Sequence, residues 1–160
     1  MPEIAITDHE LVYRRHVQTV YRVCYAYMRN SAEAEDAVSE TFCRMIKSAP
    51  DFEGEEHEKA WLIRVAVNVC KNMLKHWWNK REPLDAHGEL TTSAADDDSD
   101  VMEHIKRLPD KYKAPVYLYY CEGYKGDEIA SILGVPSSTV RNWLREARFL
   151  LKNILEESYE

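Results

Sequence analysis

The stretch GYKGDEIASILGVPSSTVRNWLREAR, residues 123–148, consists of two segments with helical apolar spacing separated by Gly134, Val135 and Pro136. Glycine readily adopts a left-handed backbone conformation, and proline prevents the first helix from continuing. A short turn containing glycine between two helices is typical of a helix-turn-helix. The stretch therefore predicts such a unit in the second half of the chain.

The two helices of this motif are predicted over about Asp127–Leu133 and from Ser137, as the capping residue, to about Leu155. Apolar residues spaced by three and four turn one side of each helix inward. The residues predicted to pack are Ile129, Ala130, Leu133, Val135, Val140, Trp143, Leu144, Ala147, Leu151 and Ile154.

The outward face of the last helix carries side chains suited to nucleic acid. Arginine can form bidentate hydrogen bonds with guanine and asparagine with adenine, whereas serine and threonine at a helix start can reach phosphates together with the free N–H groups. An ordinary amphipathic helix with a solvated charged face is the alternative. The candidate DNA contacts are Ser137, Ser138, Thr139, Arg141, Asn142, Arg145 and Arg148.

The first half of the chain contains three long segments with helical apolar spacing, which predict three helices that bury one another. The first runs from about Asp8 to Met28 and the third from about His57 to Lys80. Asn30 or Ser31 is predicted to cap the second, with a glutamate at capping-box distance from Asn30. The apolar positions are Leu11, Val12, Val17, Val20, Cys24 and Met28, then Ala34, Ala37, Val38, Thr41, Phe42, Met45 and Ile46, then Leu62, Val65, Ala66, Val69 and Met73.

The third helix also has a basic face opposite its apolar one. It ends in KHWWNKR, residues 75–81, where Trp77 and Trp78 stand among basic residues, a composition that suits single-stranded DNA because bases stack on indoles. The alternative is that one tryptophan seals the end of the helical core and the other covers it. The basic face of the third helix is formed by Arg64, Asn68, Lys71, Lys75 and Asn79.

Residues 82–100 separate the two halves and contain a proline, a glycine, the run TTS and the acidic run DDDSD, with almost no large apolar residues. This composition predicts a flexible acidic linker. Two short helices should follow it, one ending near Pro109 and one over Val116–Cys121, with Pro115 in its first turn. The chain is therefore predicted to be all-α, with two small helical domains at 1–81 and 101–160.

The bulk composition excludes several classes of protein. The 160 residues carry a net charge of −7 with 45% hydrophobic residues, which fits a folded globular protein. No apolar run is long enough for membrane insertion, and the N-terminus lacks a secretory signal, so we expect a cytoplasmic protein. The motifs of phosphate loops, nucleophile elbows and zinc proteases are absent, which argues against an enzyme.

The cysteines form no CxxC pair and are not spaced with histidines as metal ligands would be. We therefore predict no metal and no other cofactor, and expect the thiols to be small buried groups. They are Cys24, Cys43, Cys70 and Cys121.

With these residues in view, almost the whole chain apart from the linker resembles a bacterial RNA polymerase sigma factor of the extracytoplasmic function group. AEDAVSETFCRMI is similar to the family's segment that docks on the polymerase clamp helices, and KAWLIRVAVNVCKNMLK is similar to the helix that reads and opens the minus-ten element. LPDKYKAPVYLYYCEGYKGDEIASILGVPSSTVRNWLREAR resembles the domain that reads the minus-thirty-five element. The first domain would then be sigma domain 2 and the second sigma domain 4.

The resemblance implies core RNA polymerase and promoter DNA as partners, and an anti-sigma protein, often located at the membrane, as regulator. It implies that the loop from Ala49 to Glu58 holds a flipped-out base, although five carboxylates there are awkward beside DNA. The polymerase contacts it implies are Asp36, Glu40 and Phe42, of which Phe42 also fits the core stripe. The minus-ten contacts are taken to be Arg64, Asn68, Lys71, Lys75, Trp77 and Lys80.

The second half departs from the family pattern at Trp143, Glu146, Phe149 and Leu150, where family members often carry basic or small residues. Fewer phosphate contacts should make binding to free promoter DNA weak. Two other functions remain open: a free-standing helix-turn-helix regulator, and a polymerase-binding or inhibitory module without DNA specificity.

Overall fold

The computed structural model describes residues 2–80 and 99–158. The chain divides into two compact units, residues 1–93 (unit 1) and 94–160 (unit 2). All regular elements within the described ranges are helical, which confirms the all-α prediction. The predicted linker lies outside the described residues except for Ser99 and Asp100, which are already helical.

Unit 1 is built from three helices, α1 (Pro2–Tyr27), α2 (Ser31–Ser48) and α3 (Glu55–Asn79), each packed against the other two. Helix α1 begins six residues earlier than predicted. The core of the unit is formed by Val20, Val23, Cys24, Met28, Ala34, Ala37, Val38, Phe42, Met45, Leu62, Ile63, Ala66, Val69 and Cys70.

The corner between α1 and α2 is fixed by side-chain hydrogen bonds. Asn30 caps α2, since its Oδ1 accepts from the N–H of Glu33 at 2.9 Å. The capping-box prediction implied that the Glu33 carboxylate accepts a hydrogen bond from the N–H of Asn30. It accepts instead from the N–H of the preceding residue, Arg29, at 3.1 Å. The Arg29 guanidinium also pairs with Glu33 and lies 4.2 Å above the Trp77 ring, so the corner is joined to the end of α3.

Some predicted core positions are at the surface. Ile46 is 54% exposed and Leu11 is also exposed, while Val65 and Met73 are half-buried. Apolar spacing gives the direction of a stripe but not its width, and these residues lie where the neighbouring helices no longer cover it. The expectation that all four thiols are buried is likewise wrong for Cys43 and Cys121.

Unit 2 contains four α-helices within its described residues, α4 (Ser99–Lys106), α5 (Asp110–Val116), α6 (Gly126–Leu133) and α7 (Ser137–Ser158). A π-helical turn, Tyr117–Cys121, follows α5 directly. Helices α5 and α6 both pack against α7. The core is formed by Met102, Ile105, Leu108, Tyr112, Val116, Tyr117, Leu118, Ile129, Ala130, Val140, Leu144 and Ala147.

The prediction for Pro115 is wrong, because α5 begins at Asp110 and Pro115 lies inside it. A proline within a helix removes one backbone hydrogen bond and disturbs the turn before it. The chain continues as the π-helical turn, in which the N–H of Glu122 donates to the carbonyl of Tyr117 at 3.3 Å.

The turn between α6 and α7 has the predicted glycine geometry. Gly134 adopts φ 70° and ψ 37°, and the N–H groups of Gly134 and Val135 both donate to the carbonyl of Ala130. The cap prediction required Ser137 to be the residue before the first helical one. Ser137 is instead itself the first residue of α7. The Pro136 carbonyl accepts from the first turn of α7. The side chain of Ile154, predicted to face inward, lies outside the described residues.

Within the described residues, no helix combines the length and apolar character needed to cross a bilayer.

Candidate nucleic-acid interface

Helix α3 presents a basic stripe, which we define as Arg64, Asn68, Lys71, Lys75 and Asn79. All five side chains are exposed. The opposite face of the helix carries fully buried groups such as Leu62 and Ala66, so packing fixes which side the stripe faces. Lys80 follows the last helical residue and is exposed as well. The stripe is therefore open to a polyanion along about four turns of helix.

The two tryptophans at the end of α3 have different environments. Trp77 is half-buried and lies beneath the guanidinium of Arg29. Trp78 is 74% exposed. Trp77 thus packs against Arg29, as in the packing alternative, and its predicted role as a DNA contact stays a prediction, whereas Trp78 lies at the surface.

The acidic segment 49–58, whose last four residues form the first turn of α3, is less acidic at its surface than its sequence indicates. Glu58 is 7% exposed. Its carboxylate accepts a hydrogen bond from Arg15 Nη1 at 2.8 Å and lies 2.7 Å from Nε2 of the buried His16. Glu55 lies 3.7 Å from the same Arg15 nitrogen. These pairs join α1 to the start of α3 and remove one of the five carboxylates from the face available to DNA.

Aromatic contacts organise the same loop. The ring of Phe52 stands edge-on to both His57 and Trp61, with centroids 5.6 Å apart in each pair. The N–H of Glu53 donates to His57 Nδ1 at 3.0 Å. Ala49, which ends α2, adopts φ 43° and donates its N–H to the carbonyl of Met45. The loop is thus held by its own aromatic side chains.

The candidate polymerase contacts on α2 divide into exposed and buried groups. Asp36 and Glu40 are exposed, and Glu40 pairs with Arg44 at 3.2 Å. Phe42 is 5% exposed, and its ring packs edge-on against Tyr13 with centroids 4.9 Å apart. Phe42 is therefore a core residue, which is the alternative that its position in the apolar stripe indicated.

Helix α7 presents the predicted polar face. Its exposed residues include Ser138, Arg141, Asn142, Arg145 and Arg148, whereas Ser137 and Thr139 are half-buried. Arg145 Nη2 donates to the Asn142 side-chain oxygen at 3.0 Å, and Arg148 Nε donates to the carbonyl of Leu144 at 3.4 Å. Two candidate base-reading side chains are thus already oriented by a mutual hydrogen bond.

Glu146, an acid on an otherwise basic helix, has a structural partner. The buried Tyr112 of α5 donates its hydroxyl hydrogen to the Glu146 carboxylate. This hydrogen bond, followed by burial, raises the pKa of Tyr112 above its usual value. The bond joins α5 to α7 and fixes the orientation of α7 against α5. No sequence pattern indicated this pair, because its members lie 34 residues apart.

Two family models match the chain in the order that the motifs predicted. The model of sigma-70 region 2 matches residues 12–79, and the model of sigma-70 region 4 matches residues 99–151. The matched regions contain both basic faces. The chain belongs to the sigma-70 family of RNA polymerase sigma factors, in the extracytoplasmic function group.

Relatives of this family match over most of the chain. RNA polymerase sigma factor SigV of Bacillus subtilis is 29% identical over 150 residues, covering 92% of this chain and 86% of its own. ECF RNA polymerase sigma factor SigW of the same organism is 27% identical and covers 86% of this chain and 83% of its own.

Solved structures share the fold. The sigma factor RpoE from Bartonella quintana, in complex with the anti-sigma factor NepR, has a TM-score of 0.69 at 18% identity, covering 93% of this chain and 97% of its own. CnrH, in complex with the cytosolic domain of CnrY, has a TM-score of 0.66 at 18% identity. The match covers 93% of this chain and 88% of the CnrH chain.

Proposed function

We propose that this sigma factor attaches to core RNA polymerase as a dissociable subunit, reads and opens the minus-ten element with unit 1, and reads the minus-thirty-five element with unit 2. The observation that supports this division is that each unit presents an exposed basic face on one helix, the basic stripe on α3 and the outward face of α7. Neutralisation of phosphates supplies much of the affinity of proteins for nucleic acid.

In unit 1, Arg64 and Asn68 contact the melted strand, and the lysines of the basic stripe follow its backbone. Asp36 and Glu40 offer carboxylates to basic residues of the polymerase. Phe42 supports that surface indirectly, since its side chain is buried on the inward face of α2. In unit 2, Arg141 and its polar neighbours on α7 read base edges in the major groove.

The net charge of −7 makes binding to free DNA weak, so the polymerase complex has to supply part of the affinity. The protein carries out no chemistry of its own and works in the cytoplasm, where polymerase and chromosome are. We propose that an inhibitory protein regulates it, because RpoE, which has the same fold, was solved with an anti-sigma factor.

The test is transcription in vitro by bacterial core polymerase with the full chain on a library of promoter fragments. We expect transcripts only when the chain is present. Asp36→Arg should weaken core binding at least tenfold, because it reverses the charge offered to basic polymerase residues. Asp8→Arg makes the same charge change at an exposed position of α1 and should leave core binding unchanged.

Failure of the folded wild-type chain to bind core polymerase, with no transcripts, would contradict the proposal. DNA-sequence-specific binding without polymerase would then favour the free-standing regulator, and core binding without transcripts would favour the inhibitory module.

A further inference from the structure

Trp78 stands at the end of the basic stripe, on the same side of α3. At about 100° per residue, Trp78 lies about 20° from Lys71 and about 60° from Lys75 around the helix axis. Both lysines are exposed. An indole and two ammonium groups therefore face solvent together.

Trp77, the neighbouring residue, provides the contrast. It lies about 20° around the axis from the buried Ala66, and its ring is covered by Arg29. Trp77 thus lies on the packed side of α3, whereas Trp78, about 100° further around the axis, is 74% exposed. Packing therefore accounts for Trp77 and does not account for Trp78.

We propose that Trp78 is a stacking residue for an unpaired base of the opened DNA strand, with Lys71 and Lys75 holding the phosphates on either side of that base. An exposed aromatic face beside cations is the arrangement with which proteins bind single strands without sequence preference, because every base has a π-face and every nucleotide carries a phosphate. Duplex DNA offers no free base face, so the contact forms only after strand separation.

This role rests on the proposed function, since it requires that unit 1 meets a single strand. It adds a contact at the last turn of α3, beyond Arg64 and Asn68. The effect of Trp78 should therefore be on the stability of the opened state and independent of base identity.

The first test needs no polymerase. Tryptophan fluorescence of the full chain is recorded while a 15-nucleotide oligothymidine is added at about 20 mM salt, where phosphate contacts are strongest. Stacking on a base should quench the wild-type signal. Trp78→Phe should remove most of the quenching, while Trp77→Phe should retain it. No quenching in the wild-type chain, or equal quenching in Trp78→Phe, would overturn the proposal.

The second test uses the holoenzyme on a promoter that the wild-type chain transcribes. Trp78→Ala should lower the yield of open complexes about tenfold, judged by permanganate reactivity of unpaired thymines, on both duplex and premelted templates. Trp78→Phe should restore most of the yield because it keeps an aromatic ring, whereas Trp78→Lys should not. Restoration by lysine, or a defect that disappears on the premelted template, would contradict stacking.

Measurements of core binding and thermal unfolding distinguish loss of the stacking contact from other causes of a lower open-complex yield. Both should be unchanged in Trp78→Ala, because the side chain is exposed. Failure of the wild-type chain to bind core polymerase would refute the proposed function. The oligothymidine experiment would then be the test of whether Trp78 stacks on a base.

Discussion

At the scale of single residues, the most informative side chains are two acids whose carboxylates are engaged by a group on another helix. Glu58 and Glu146 both belong to stretches in which the sequence places carboxylates beside candidate DNA contacts. Each accepts a hydrogen bond from a group on another helix, Arg15 for Glu58 and Tyr112 for Glu146. Glu58 joins α1 to α3 and is buried, whereas Glu146 joins α5 to α7 and remains exposed.

Replacement of Glu58 by alanine should lower the free energy of unfolding of unit 1 by about 2 kcal/mol, because buried charged hydrogen bonds to Arg15 and His16 are lost. Urea unfolding of the full chain measures this. Asp51→Ala removes an exposed carboxylate from the same loop and should change stability by less than about 0.5 kcal/mol. Equal effects of the two substitutions would show that the Glu58 contacts contribute nothing.

The Tyr112–Glu146 pair predicts a dependence of stability on alkaline pH. The pKa of Tyr112 is raised in the folded state, so the proton is held there after the unfolded chain has released it. Stability from this group is fully present below the usual tyrosine pKa of about 10 and falls as the pH rises through the folded value. The difference in stability between the wild type and Tyr112→Phe should therefore shrink as the pH rises above about 10. An unchanged difference would contradict this assignment.

At the scale of secondary structure, helix ends set the loops that carry the candidate sites. Ala49 ends α2 with a positive φ of 43°, which glycine adopts at lower cost. Ala49→Gly should stabilise unit 1 by about 1 kcal/mol. Ala32→Gly, at an exposed position within α2, should have the opposite sign. Thermal unfolding of both variants checks this, and destabilisation by Ala49→Gly would show that the end of α2 is held by something other than backbone conformation.

Helix existence and direction could be predicted from the sequence, since apolar spacing and the Gly134–Pro136 turn determine them. The start of α5 could not, because Pro115 indicates a helix beginning when read alone. Only the packing of Tyr112, Ala114 and Val116 shows that the helix already exists before the proline. Which of Trp77 and Trp78 is covered could not be predicted for a related reason, since it depends on the position of Arg29, almost fifty residues away.

At the scale of the whole molecule, two compact units on one chain explain how a protein of net charge −7 can act on DNA. Each unit contributes a modest basic face, and joining the two raises the effective concentration of the second once the first is bound. Neither face has to bind tightly alone.

The salt dependence of DNA binding should reflect this division. For the holoenzyme, Lys71→Ala and Arg148→Ala should each reduce the slope of log affinity against log salt by about one unit, since each removes one phosphate contact. Lys47→Ala, at an exposed position of α2, should leave the slope unchanged. Fluorescence anisotropy of labelled promoter DNA measures the slope, and an equal reduction in all three would point to a general charge effect.

The most direct measurement of the central claim is sequencing of the DNA fragments that the holoenzyme selects from a random library. Two short elements at a constant spacing should be enriched, with Asn68→Ala relaxing only the downstream element and Arg141→Ala only the upstream one. Enrichment of a single element, or the same enrichment by the chain without polymerase, would contradict the assignment of one promoter element to each unit.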